Sequence, residues 1–554
     1  MHKTQAEHRK LSRPELLAAI PPESLEKNPL FPGFFLRNFP EPILNFPLFI
    51  DGQDIDTRHY EYVPFSDQQM ANPLLARECL YQIKHHHYPL DTSRYVYARY
   101  AWGNLDFSAR AIGSAQKAFQ QFKNFSIHRR RIQLNRANHY LLQEKEKLVD
   151  LWIHEGLSKP VALWQFNNIA ALLSSENLDI LEQQLLHPDS DTQNKTTVFV
   201  RRPFGVTCIA ADMNPSDTVQ IGSLALFSAN TLVIAALKKM PVSTIYLWRQ
   251  IFARAFLEQG APAGTINIIS ENPEHLMLSW MRHPDVQCIF SGGSTAFLKH
   301  KTSLAKNKII VDASTKDAVC IWKDADLEKA TDSLLDAFLA SGQLLHIPKK
   351  VLVHASVYEA CMQLLVKKTK ALHFGLPQDH KTLFSPAEKI EEFSDVLEDA
   401  LMHGANVLTG NFRTNPLGQK DAAGPYLAPT IVECPQEKAQ QIRCWQQQPL
   451  FPLLSVIRIS ADEPAEKEKD RAIFNAMQKI LSDDKTNLQL SVWAINPLYL
   501  NRFIEEIHYA NSIKFNARHS NFCSIKNDFK TTQDLWGKIS YLQSVYLEPS
   551  SRAQ

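Results

Sequence analysis

Asp324-Ala325-Asp326-Leu327-Glu328-Lys329-Ala330, then Gly342-Gln343-Leu344-Leu345, then Pro348-Lys349-Lys350-Val351-Leu352-Val353-His354 is the stretch on which the reading of this chain turns. The first piece predicts the opening of an amphipathic helix, and the last predicts the start of a buried strand. Between them stands a Gly-Gln turn followed by two leucines.

Working outward, short β-runs alternate with helical stretches. Thr207 to Ala210, Asn230 to Ala235, Thr265 to Ile269, Val286 to Phe290 and Lys308 to Asp312 read as strands. Strands separated by helical stretches imply parallel pairing with crossover helices, an α/β layered domain. A second alternating region runs from Ala318 to about Asn516, which predicts a second α/β domain. From Leu105 to about Leu173 the pattern is helical, with Phe107, Ala111, Ala115 and Phe119 at helical spacing. The segment from Glu182 to Arg202 reads as a protruding loop leading into an extended strand at Thr196 to Val200. The first ninety or so residues are rich in proline and aromatics and show no sustained helical period, so an irregular extension packed on the core is expected.

Composition excludes several function classes. A chain of 554 residues is too long for one core and splits into two or three domains. The net charge of +2 sets up no field suited to nucleic acid or an anionic membrane. His128-Arg129-Arg130-Arg131 has no aromatic interleaving and reads as a solvated helix face. The apolar stretch from Ile221 to Leu237 is interrupted by Ser223, Ser228, Asn230 and Thr231, so it is expected to be a buried helix and a core strand, with no membrane association. Eight cysteines without a CxxC pair, and an N-terminus lacking a signal-peptide core, suggest reduced thiols in a cytoplasmic protein. His85-His86-His87 has no nearby partner to complete a ligand set, so no metal is expected. Glycine is scarce: 18 residues, or about 3% against a usual share of about 7%. That leaves few places where backbone can approach a phosphate closely.

Several further segments, in order, point to one family. They are Glu155-Gly156-Leu157-Ser158-Lys159-Pro160, Arg202-Pro203-Phe204-Gly205-Val206, Asn230-Thr231-Leu232-Val233, Gly260-Ala261-Pro262-Ala263-Gly264-Thr265-Ile266-Asn267 and Gly424-Pro425-Tyr426-Leu427-Ala428-Pro429-Thr430. Over roughly residues 100 to 520 the chain resembles the aldehyde dehydrogenase superfamily. The resemblance implies an α/β fold of two domains. A Rossmann-like nucleotide-binding-type domain is expected over 96–184 and 204–311, and a catalytic-type domain over 312–523. Residues 1–95 would be an N-terminal extension, with 185–203 and 524–554 forming a small oligomerisation arm and C-terminal segment.

In that family a cysteine thiolate attacks the aldehyde, an asparagine and a backbone N–H hold the oxyanion, hydride passes to NAD(P), and a glutamate activates water. The oxyanion asparagine corresponds to Asn214, for which a turn role is an equal alternative. The nucleophile position falls on Leu345, and registers of plus or minus one offer Leu344 or His346; none is a thiol. Cys320 reads as a core strand position. The glutamate position carries Asp312, one methylene shorter, in Asp312-Ala313-Ser314-Thr315-Lys316. Ala235-Ala236-Leu237-Lys238 stands where the family grips the adenosine ribose with lysine and glutamate. Gly293 and Ser294 correspond to a Gly-Ser beside the dinucleotide, and Gln448 replaces a second clamping carboxylate.

The expectation is therefore a divergent member that is inactive or severely impaired, kept for binding, scaffolding or hetero-oligomer assembly. NAD or NADP is implied by family resemblance only, and no cofactor is expected to bind tightly. A homodimer or higher oligomer is expected, with Thr196 to Val200 and Ser544 to Leu547 as candidate contacts. The competing reading is an active NAD(P)-dependent oxidoreductase without a covalent intermediate, using Asn214, Asp312 and His346. A third class is nucleic-acid binding through Arg129 to Arg131.

Overall fold

The computed structural model describes residues 43–546 apart from 72, 85–95, 187–196, 212–213, 237–238, 294–306, 314–316, 345–346, 388–389, 448–449, 483–488, 509, 511, 521–535 and 538. Two seven-stranded sheets organise the chain. In the first, the strands lie in the order Lys308–Ala313, Val286–Gly293, Val206–Ala211, Thr231–Ala236, Ile266–Ile269, Leu48–Ile50, Gln53–Ile55. The first five are mutually parallel, and the last two add antiparallel. The second sheet runs Asn406–Thr409, Thr430–Glu433, Leu453–Ile459, Lys350–His354, Ala318–Ile321, Gln489–Trp493, Ser512–Phe515, with only the Asn406–Thr409 edge antiparallel. The fold is the two-domain α/β architecture expected from the sequence.

Parallel strands covered on both faces must be apolar throughout. Thr231–Ala236 and Ala318–Ile321 are accordingly buried at every position. The helix Leu105–Phe122 starts at Asn104, whose side chain accepts from the backbone N–H groups of Asp106 and Phe107. It turns Ala111, Ala115, Ala118 and Phe122 inward at three- and four-residue intervals. The interrupted apolar stretch is resolved as the buried helix Pro215–Phe227 followed by the strand Thr231–Ala236. Among the described residues no helix is long and apolar enough to cross a membrane.

One expectation needs correction. The N-terminal segment is not irregular beyond residue 43: Leu48–Ile50 and Gln53–Ile55 close the far edge of the first sheet. These strands are three residues each, too short for a period to show in sequence. The basic run lies on a helix face where His128 and Arg129 are exposed and Arg130 and Arg131 half-buried. Arg130 donates Nε to the Phe227 carbonyl at 2.7 Å, Arg129 reaches the Gly260 carbonyl at 3.0 Å over the Phe125 ring, and Arg131 pairs with Asp179 and Glu182.

The strand Thr197–Pro203 pairs antiparallel with Ser540–Tyr546 through the register Thr197↔Tyr546 to Pro203↔Ser540. The two segments expected to form an arm are thus one hairpin-like ribbon. His85 to His87 lie outside the described residues; among those described, no three His, Cys, Asp or Glu side chains are grouped to hold a metal ion.

Candidate functional site

In open parallel sheets, ligands bind in the crevice beyond the carboxyl ends of the strands. In the first sheet that edge carries Ala211, Ala236, Gly293 and Ala313, the last residues of four adjacent strands. The register sets Asp312 beside Gly292 and Ala313 beside Gly293. Sequence positions some twenty residues apart are therefore brought onto neighbouring strand ends. Asn214 follows the strand Val206–Ala211 and opens the helix Pro215–Phe227.

Asn214 is buried, with extended backbone at φ −111° and ψ 92°. Its carboxamide is engaged locally: Nδ2 donates to Asp217 Oδ2 at 2.5 Å, and Oδ1 accepts from Ser216 Oγ at 2.9 Å. Gln165 Oε1 accepts from the Ser216 N–H at 3.3 Å. Both the oxyanion and turn readings place an asparagine here. Asp217 and Gln165 were not singled out from sequence, and no motif around them would have shown it.

At the end of the strand Thr231–Ala236, Ala235 and Ala236 are fully buried, and their side chains carry no hydrogen-bonding group. Leu237, Lys238, Ser294 and Gln448 lie outside the described residues, as do Leu345 and His346.

What precedes Leu345 is described in detail. Ala340 at φ 48°, Ser341 at φ 55° and Gly342 at φ 76° form three consecutive left-handed residues. Such backbone is strained for alanine and serine, and persists only where surroundings hold it. Here the Ala340 N–H donates to the Leu383 carbonyl at 2.8 Å. Ser341 Oγ donates to the Ser385 carbonyl at 2.6 Å and accepts from its N–H at 3.0 Å. Gln343 Nε2 donates to the Pro386 carbonyl at 3.3 Å. Gly342 is required: a Cβ there would lie 1.8 Å from the Phe451 carbonyl oxygen. Leu344 is 1% exposed and joins Ala340 and Ile347 in the first domain's core.

Below the turn, Lys349 is buried, and its Nζ donates to the Gly342 carbonyl at 2.6 Å. Burial lowers its pKa to about 7, against the opposing charge of Asp317. Asp317 in turn faces His519 Nε2 at 3.2 Å, and Ser491 Oγ lies 2.7 Å from His519 Nδ1. All three are fully buried, so this Ser-His-Asp row is part of the packing between strands. On the other side, the half-buried Glu155 accepts from the Val242 and Ser243 N–H groups at 2.7 and 3.1 Å. Burial lifts its pKa to about 7.

Seven cysteines are described, and all are buried in the interior. Cys320 sits in the middle of the strand Ala318–Ile321, and burial pushes its thiol far up. It is a core residue and no substitute nucleophile.

Comparison with known proteins agrees with this architecture. The sequence pattern described as the aldehyde dehydrogenase family matches residues 89–519. A D-glyceraldehyde dehydrogenase (NADP(+)) of Picrophilus torridus is 26% identical over 375 residues, covering 65% of this chain and 73% of that protein. A 1-pyrroline-5-carboxylate dehydrogenase of Geobacillus thermodenitrificans is 23% identical over 426 residues, covering 74% and 80%. Among solved structures, a 1-pyrroline-5-carboxylate dehydrogenase from Thermus with bound NAD superposes with a TM-score of 0.72 at 16% identity, covering 98% of each chain. An NADP-dependent glyceraldehyde-3-phosphate dehydrogenase from Bacillus halodurans, complexed with NADP, gives 0.70 at 19% identity, covering 91% and 99%. With the family pattern spanning most of its length and both sheets arranged as in these structures, the chain belongs to the aldehyde dehydrogenase family.

Proposed function

We propose that this chain is a catalytically inactive or severely impaired member of its family, retained for a binding, scaffolding or hetero-oligomer role. One observation carries the reading: the Gly342-Gln343 turn is followed by Leu344, Leu345 and His346, so no register supplies a thiol. A leucine side chain has no lone pair with which to attack a carbonyl. Loss of a nucleophile costs on the order of a millionfold in turnover. The buried Ala235 and Ala236 and the engaged carboxamide of Asn214 support the same reading.

NAD or NADP, which relatives and neighbours are named for, would then bind weakly or not at all. The ribbon of Thr197–Pro203 and Ser540–Tyr546 is the surface we assign to a homodimer, higher oligomer or hetero-oligomer, in a cytoplasmic protein. Titration of NADH and NADPH with micromolar protein should leave their fluorescence unchanged. Incubation with NAD or NADP and short, hydroxylated or aromatic aldehydes should yield no reduced cofactor above background. Saturable enhancement, together with turnover lost in Asp312→Ala, would overturn the proposal in favour of a non-covalent oxidoreductase.

A further inference from the structure

We propose that the first turn of the helix Pro215–Phe227 walls a binding recess for a small uncharged polyol, with Gln165 and Asp217 as the side chains that read its hydroxyl groups. The inference rests on the reading of this chain as retained for binding. The helix begins beyond the carboxyl end of the strand Val206–Ala211, the edge at which open parallel sheets take their ligands. Gln165 belongs to a second helix, Lys159–Leu172, that packs against it.

Gln165 is 0% exposed. Its Oε1 accepts from the Ser216 N–H at 3.3 Å, which fixes the carboxamide over the helix N-terminus. The Nε2 of that same carboxamide is buried and has no hydrogen-bond partner among the described residues. A buried donor without an acceptor is destabilising, so an oxygen from outside the chain has a place there. Asn214, Ser216 and Asp217 each keep 6% of their surface accessible where Gln165 keeps none, which sets Gln165 at the inner end.

The groups around this point ask for both an acceptor and a donor. Gln165 Nε2 can only donate. Asp217 lies in the first helical turn, where the dipole favours negative charge, and its Oδ2 accepts from Asn214 Nδ2 at 2.5 Å. A carboxylate accepts up to about four hydrogen bonds, so it can receive a further donor beside those it has. Ser216 Oγ spends its proton on Asn214 Oδ1 at 2.9 Å and keeps lone pairs to accept with. A hydroxyl group meets both demands: its oxygen accepts from Gln165, and its proton goes to Asp217 or Ser216. An anionic ligand would instead meet the Asp217 charge where water screens it poorly. An ammonium ion has no lone pair for Gln165 and would face the positive end of the helix. An alkyl chain would leave the Gln165 donor buried and unpaired.

Saturation-transfer difference NMR on the full-length protein without NAD or NADP, with erythritol as the probe, tests the assignment. Erythritol should receive saturation that rises to a plateau with its concentration. Butan-1-ol, with a single hydroxyl, and threonate, with a carboxylate, should each bind at least about tenfold more weakly. Gln165→Leu should weaken erythritol by about tenfold, with circular dichroism confirming the fold. Asp217→Asn removes the charge and keeps the shape, so it should narrow the gap between threonate and erythritol, a change of preference that loss of folding cannot produce. No saturable transfer to erythritol in wild type would overturn the proposal. So would equal binding of butan-1-ol, or an unchanged preference in Asp217→Asn. These readouts are independent of turnover: aldehyde-dependent reduction of NAD would sink the inactive reading and leave the recess standing.

Discussion

Lys349 Nζ donates to the carbonyl oxygen of Gly342 across 2.6 Å. A buried amine beneath the second sheet thus holds the turn at which family members carry their nucleophile. That turn carries three consecutive left-handed residues, Ala340, Ser341 and Gly342.

The Lys349 contact predicts a pH dependence. Its folded pKa of about 7 lies below the ordinary lysine value of 10.5 because burial disfavours the charged form. Between those values the unfolded chain binds the extra proton, so stability rises with pH from about 7 to about 10.5 and the gain is lost as pH falls through 7. Lys349→Met removes this term. Urea unfolding at pH 7 and pH 9 should show wild type gaining up to about 1.4 kcal/mol per pH unit relative to the variant. Parallel behaviour of the two proteins would refute it.

Glu155 predicts the opposite slope in a lower window. Its folded pKa of about 7 lies above the ordinary carboxyl value of 4.5, again because of burial. The folded state then holds the extra proton, so stability present below 4.5 is lost as pH rises towards 7. Glu155→Gln keeps one acceptor for the Val242 or Ser243 N–H and loses the titration. The variant should be less stable than wild type at pH 5, with the gap narrowing by pH 8 in thermal or urea unfolding. A constant gap would contradict the assignment.

Gly342→Ala should cost at least about 3 kcal/mol, combining a left-handed φ with overpacking. Its Cβ would lie 1.8 Å from the Phe451 oxygen, so backbone must move. A loss below about 0.5 kcal/mol in the urea midpoint would mean that the Phe451 segment yields freely.

Restoring the thiol should not restore the enzyme. Leu345→Cys is expected to show no aldehyde-dependent reduction of NAD or NADP above background, because Ala235 and Ala236 offer nothing to a ribose. Recovery of robust turnover by this single change would show that the cofactor crevice is functional.

Much of this was legible in the chain. Periodicity and burial are coupled locally, so the five strands from Val206–Ala211 to Lys308–Ala313 and the helix Leu105–Phe122 could be read from residue spacing. That Leu345 has no lone pair is likewise legible in the sequence alone. Tertiary structure decided the rest, because it depends on residues far apart in sequence. Only the fold joins Leu48–Ile50 to a sheet two hundred residues away, commits Arg129 to Arg131 to internal carbonyls and carboxylates, and turns the Asn214 carboxamide onto Ser216 and Asp217. It alone places Lys349 under Gly342. A side chain's chemistry is written in its identity, but its partners are set by which strands and turns the packing brings together.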